Sequence, residues 1–114
     1  MKYNVKSFSK FDTAFKRLSK KYKSLARELI MFSENLSSNP RQGKDLGAGF
    51  YKIRLSSESK GGGKSGGFRV ITYYIEQKGD TQTIFLVTIY DKSEESSVDK
   101  KELLKILENE LYQS

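Results

Sequence analysis

Residues 52–69, KIRLSSESKGGGKSGGFR, hold five cations and a single carboxylate. Lys52 and Arg54 alternate on a strand-like run. Lys60 and Lys64 sit in a glycine-rich loop, and Arg69 opens the next strand-like run, with only Glu58 among them. Like charges held close repel one another, so such a cluster calls for an anionic partner, and phosphate is the first candidate. Side chains alternate across a strand, which puts Lys52 and Arg54 on one face and Tyr51, Ile53 and Leu55 on the other. The apolar set is expected to face the helices and the cations an open face. Arg69 reaches the same surface from across the hairpin, and Tyr90 and Lys92, at the end of the next strand, are placed to close its far side.

A trough of this kind suits RNA cleavage. The reaction needs a ribose 2′-hydroxyl activated, a dianionic phosphorane stabilised and a leaving oxygen protonated. Arginine presents a planar fork of donors that fits phosphoryl oxygens. A lysine crowded by other cations loses its proton more readily and can act as a base. RNA brings its own nucleophile, so neither metal nor cofactor is called for. The chain has no Cys and no His, which removes disulfides, thiolate metal sites and the commonest general base.

The glycine loop is not a nucleotide-binding loop. A P-loop carries Gly five residues ahead of its Gly-Lys-Ser; ahead of Gly63-Lys64-Ser65 that position is Glu58. A P-loop also opens a helix, whose N-terminal N–H groups meet the phosphates, whereas this loop runs into a strand.

The elements that must hold these residues are readable along the 114-residue chain, whose length fits a single domain over residues 1–114. Residues 2–7 alternate as a short strand. Ser9 is placed to cap a helix to about residue 22, with Phe8, Phe11, Phe15, Leu18 and Tyr22 as its apolar stripe. Ser24 is placed to cap a second helix to about Asn35, striped by Leu25, Leu29, Phe32 and Leu36, and the two should form an antiparallel hairpin. Asn39-Pro40 ends it, and residues 41–49 read as a polar loop. Phe50–Ser56, Phe68–Gln77 and Thr83–Tyr90 read as strands, the last apolar enough to be buried on both faces, with a tight turn at 78–80. Asp99 or Ser97 is placed to cap a last helix carrying Leu103, Leu104, Ile106, Leu107 and Leu111. The expected class is α+β in the order β-α-α-β-β-β-α, with a helical hairpin and a C-terminal helix packed on an antiparallel meander.

Charge is uneven. Residues 1–90 carry 17 Lys/Arg against 7 Asp/Glu, and residues 91–114 carry 4 against 7, within a net +7. A basic body with an acidic end fits a nucleic-acid binder. The first residues lack the apolar run of a signal peptide and no stretch is apolar enough to cross a membrane, so a soluble, cytoplasmic protein is expected.

The KIRL strand, the G-K-S-G-G-x-R-V-I-x-Y-Y segment from Gly63 to Tyr74 and the I-F-L-V-T-I-Y-x-K segment from Ile84 to Lys92, in this element order, resemble toxins of the RelE/ParE superfamily, nearest to the HigB-like branch of bacterial type II toxin–antitoxin modules. The resemblance covers nearly the whole chain. It implies the RelE-like fold and an endoribonuclease that cuts mRNA on the ribosome and so inhibits translation. It implies three partners: the ribosome, mRNA and a cognate antitoxin with a helix-turn-helix DNA-binding domain. It places Lys52 and Arg54 at the family's strand cations, Arg69 at its phosphate-binding arginine and Lys92 at its late cation, and leaves open which group is base and which is acid. Lys60, Lys64 and Tyr90 are expected to bind RNA. RelE-like toxins often carry a Tyr after the last strand, and here residues 93–98 have none. Two other readings remain: a ParE-like inhibitor of DNA gyrase on the same fold, and an RNA-binding module without catalysis.

Overall fold

Phe11, Leu18 and their three- and four-residue relatives fold as helix α1, Ser9–Lys21, behind a short strand β1, Asn4–Ser7. Helix α2, Leu25–Ser38, follows after a three-residue link. Then come β2 (Lys44–Gly47), β3 (Phe50–Leu55), β4 (Phe68–Ile75), β5 (Thr83–Asp91) and α3 (Lys100–Leu107), the last continuing as a wider π-type turn over Glu108–Tyr112. The structure, a computed structural model, describes residues 3–60, 67–75, 82–94 and 98–112. The expected turn at 78–80 and the alternative cap Ser97 lie outside these residues.

The strands form one sheet in the order β1-β5-β4-β3-β2. β3, β4 and β5 make the expected antiparallel meander, and β1 adds to it in parallel alongside β5. β2 is the departure: part of the segment read as a loop, 41–49, pairs antiparallel with β3, Lys44 opposite Lys52 and Asp45 opposite Tyr51. The turn between β2 and β3 is Gly47-Ala48-Gly49, all three at positive φ, which is why two glycines stand there. Capping departs too. Phe8 holds the first cap position, and the Ser9 hydroxyl donates instead to Glu110, which also accepts from the Lys10 N–H at 3.3 Å. Ser24 makes no side-chain cap and donates to Glu28 at 3.1 Å. Asp99 does cap α3, accepting from the Lys101 N–H at 3.1 Å.

Both faces of the sheet are covered. Phe11, Leu18, Phe32 and Leu36 of the α1–α2 hairpin pack on Ile53, Leu55, Phe68 and Val70. Leu103, Ile106 and Leu107 of α3 pack on Phe50, Ile71, Val87 and Tyr90 on the opposite face. Each such side chain removed from water stabilises the fold by roughly 1.5–3 kcal/mol. Two-sided burial explains why β5 is almost wholly apolar. The cation-bearing face is therefore not open throughout. An eight-residue helix spans only about 12 Å, and one corner of that face, at the C-terminal half of β3, keeps Arg54 exposed.

Candidate functional site

That corner is where the cations gather. Register places Lys52 opposite Ile71, Arg54 opposite Arg69, and Arg69 opposite Tyr90. Lys44, Lys52, Arg54, Arg69 and Lys92 line one cavity of about 290 Å³, with no carboxylate among them. This is at the small end of ligand-binding cavities. Four of the five are residues singled out from the sequence. Lys44 was missed because it lies on the unforeseen strand β2; the Gly-Ala-Gly run before the KIRL strand was the available sign of a hairpin there.

Arg69 is the most constrained member. It is 7 % exposed, and among the described residues its one hydrogen bond is from Nη1 to the Phe68 carbonyl, 3.2 Å away. A guanidinium has five N–H donors, and burying its charge is unfavourable unless an anion meets it. Arg54 stands directly across from it, which sharpens the demand. The arrangement is suited to gripping one anion from several sides.

Other expected site residues fall elsewhere. Lys60 belongs to a short 3-10 turn, Glu58–Lys60, that carries its ammonium to the helical-hairpin side of the sheet. There it pairs with Asp91 and lies over the rings of Tyr22 and Phe68, 5.9 and 5.5 Å from their centroids. Its charge is matched internally, so it is not part of the trough. Tyr90 is 3 % exposed within the cluster beneath α3, so it floors the neighbourhood and offers no face for a base to stack on. Lys64 lies outside the described residues.

Among the described residues Asp91 is the acid whose carboxyl is held far from its ordinary value. It sits opposite Phe68 in register, on the reverse side of the sheet from Arg69 and Tyr90. Burial pushes its carboxyl upward, but the Lys60 ammonium and the Ser93 N–H and hydroxyl, bonding to it at 3.0 and 2.9 Å in the latter two cases, hold it down at about 2. Tyr22 adds a hydroxyl donor at 3.3 Å. A wider depression of about 560 Å³ opens between Lys23, Ser24, Arg27, Glu58 and Ser59, but there Arg27 is already paired with Glu58 at 2.6 Å. Among the described residues no cluster of acids could hold a metal ion, and no helix is long and apolar enough to cross a membrane.

The fold and this corner define a small α+β protein with a cation-lined cavity on one face of its sheet. The comparisons place it further. The family model described as "RelE toxin of RelE / RelB toxin-antitoxin system" matches residues 7–111. A solved structure of the E. coli toxin RelE in the free state, with two arginines replaced by alanine, superposes with a TM-score of 0.60 at 18 % identity, covering 97 % of this chain and 99 % of that one. The chain belongs to the RelE toxin family, and its fold is that of RelE.

Proposed function

We propose that this chain is the toxin of a type II toxin–antitoxin module, of the HigB-like branch, and that it inhibits translation by cutting mRNA on the ribosome. The observation that carries the reading is the buried Arg69 within a cavity lined, among the described residues, by five cations. Arg54 and Arg69 hold the scissile phosphate and stabilise its developing charge. Lys52 takes the 2′-hydroxyl proton and Lys92 gives one to the leaving 5′-oxygen, so that the RNA ends in a 2′,3′-cyclic phosphate without a metal ion. None of these groups is a strong base, and the ribosome supplies the rest by aligning the message; positioning alone is a large rate factor. A cognate antitoxin with a helix-turn-helix domain restrains the toxin in the cytoplasm.

Expression of the chain in a bacterium without its antitoxin is expected to arrest growth and fragment mRNA while plasmid supercoiling stays normal. Arg69→Ala and Lys52→Ala should each relieve the arrest, because losing one preorganised charge typically lowers such rates by roughly 10²–10³-fold. Intact mRNA with lost supercoiling would transfer the protein to the gyrase-inhibitor reading. RNA binding without fragments would make it a non-catalytic binder.

A further inference from the structure

Lys92 follows Asp91 directly, yet the two side chains serve opposite faces of the sheet. Lys92 lines the trough, and Asp91 is buried on the helical-hairpin side. What holds Lys92 in place is therefore set from behind. The turn after β5 is closed by the Glu94 N–H donating to the Asp91 carbonyl at 2.9 Å. The Asp91 carboxylate accepts from the Ser93 N–H and hydroxyl within the same turn. Its other bonds leave the turn: one to Lys60, just beyond the end of β3, and one to Tyr22 at the end of α1. The Lys92 N–H itself donates to the Gly67 carbonyl at 3.3 Å, just before β4. The turn is thus tied to the end of α1, to the segment after β3 and to the start of β4.

We propose that Asp91 is a positioning residue that acts through Lys92. Its carboxylate, clamped by Lys60 and Ser93, fixes the 91–94 turn and so sets where the Lys92 ammonium stands against Arg54 and Arg69. The Lys60–Asp91 pair is the clamp's centre: both partners are largely buried, at 15 % and 5 % side-chain exposure, and the Lys60 ammonium lies against two aromatic rings. A buried, hydrogen-bonded pair of this kind holds one geometry, because any displacement leaves a charge uncompensated in a poorly solvated place. The inference rests on the proposed nuclease reading for its functional consequence, and on geometry alone for the clamp itself.

The test is a double-mutant cycle read in two ways. Asp91→Asn keeps an acceptor for Ser93 and removes the charge facing Lys60. Single-turnover cleavage of ribosome-bound mRNA is expected to fall roughly tenfold in Asp91→Asn, with ribosome affinity unchanged within about twofold. In a Lys92→Ala background, Asp91→Asn should lower the rate no further, since residues acting as one unit lose their effect together. Multiplicative losses, or a Lys92→Ala variant as fast as the wild type, overturn the proposal. The second reading is the backbone 15N relaxation of residues 92–94, expected to report a loosened turn in Asp91→Asn. An unchanged turn in Asp91→Asn overturns the proposal whatever the protein's activity, whereas a loosened turn in that variant beside a wild-type protein that cuts no RNA upholds the clamp and defeats the nuclease reading. Where Asp91→Asn fails to fold, Ser93→Ala, which removes one bond to the carboxylate without stranding a charge, takes its place in both readings.

Discussion

Arg69 pairs a structural penalty with the phosphate-binding role proposed for it. Its side chain is almost wholly buried, faces Arg54 across the β3–β4 ladder and bonds only a backbone carbonyl among the described residues. Relieving that burial should strengthen the fold. Arg69→Met is expected to raise stability by roughly 1 kcal/mol, measured by thermal melting, while abolishing toxicity; a destabilised but toxic variant would contradict the assignment. Asp91 shows the opposite economy. Its folded-state carboxyl titrates at about 2 against an ordinary 3.8, so the stability it confers is present above pH 4 and is lost as pH falls through about 2. The amount is about 2 kcal/mol. Acid unfolding of the wild type should therefore show a loss between pH 4 and 2 that Asp91→Asn lacks, and identical acid profiles would remove Asp91 from the network.

At the scale of elements, most of the fold was legible because its signals are repetitive. The three- and four-residue stripe of α1 and α2, the β-branched run of β4 and the unbroken apolar run of β5 each specify an element by many residues at once. β2 carries no such repetition. Lys-Asp-Leu-Gly is a strand only because β3 offers it a partner edge, and pairing across a hairpin is not written in four polar-rich residues. Lys60 was misplaced for a related reason. The glycine-rich loop that holds it points to the trough, but one 3-10 turn carries the ammonium to the other side. Tyr90 alternates correctly with Asp91, yet α3 covers it, and no local pattern announces where an eight-residue helix will stop. The importance of β2 can be tested at Gly43, which sits at φ +92° where an added Cβ would come 2.4 Å from the Lys52 carbonyl. Gly43→Ala should cost more than about 1 kcal/mol and, by displacing Lys44 and Lys52, should lower cleavage. Loss of stability with full activity would make β2 mere scaffold.

Across the whole molecule, the acidic end and the basic body turn out to be stitched together. Glu102 pairs with Lys10 and Glu94 with Arg17, both at 3.5 Å, while Glu110 meets the start of α1 and Asp91 meets Lys60. These four carboxylates are thus turned toward α1 and the back of the sheet. Five cations line the trough, and the excess positive charge of the chain has a focus there. Binding to single-stranded RNA should accordingly weaken with salt at a slope of about −0.7 per phosphate contact in log–log form. Lys44→Gln should flatten that slope by about one contact's worth; an unchanged slope would place Lys44 outside the RNA footprint. The central claim is that the converging cations cut a ribosome-bound message. It is tested most directly by primer extension on mRNA from a purified translation mixture, with the wild-type chain and with Arg69→Ala. The account predicts discrete new 5′ ends within the translated message for the wild type and none for the variant. Wild-type protein that leaves the message whole, or a variant that cuts it equally well, would contradict it.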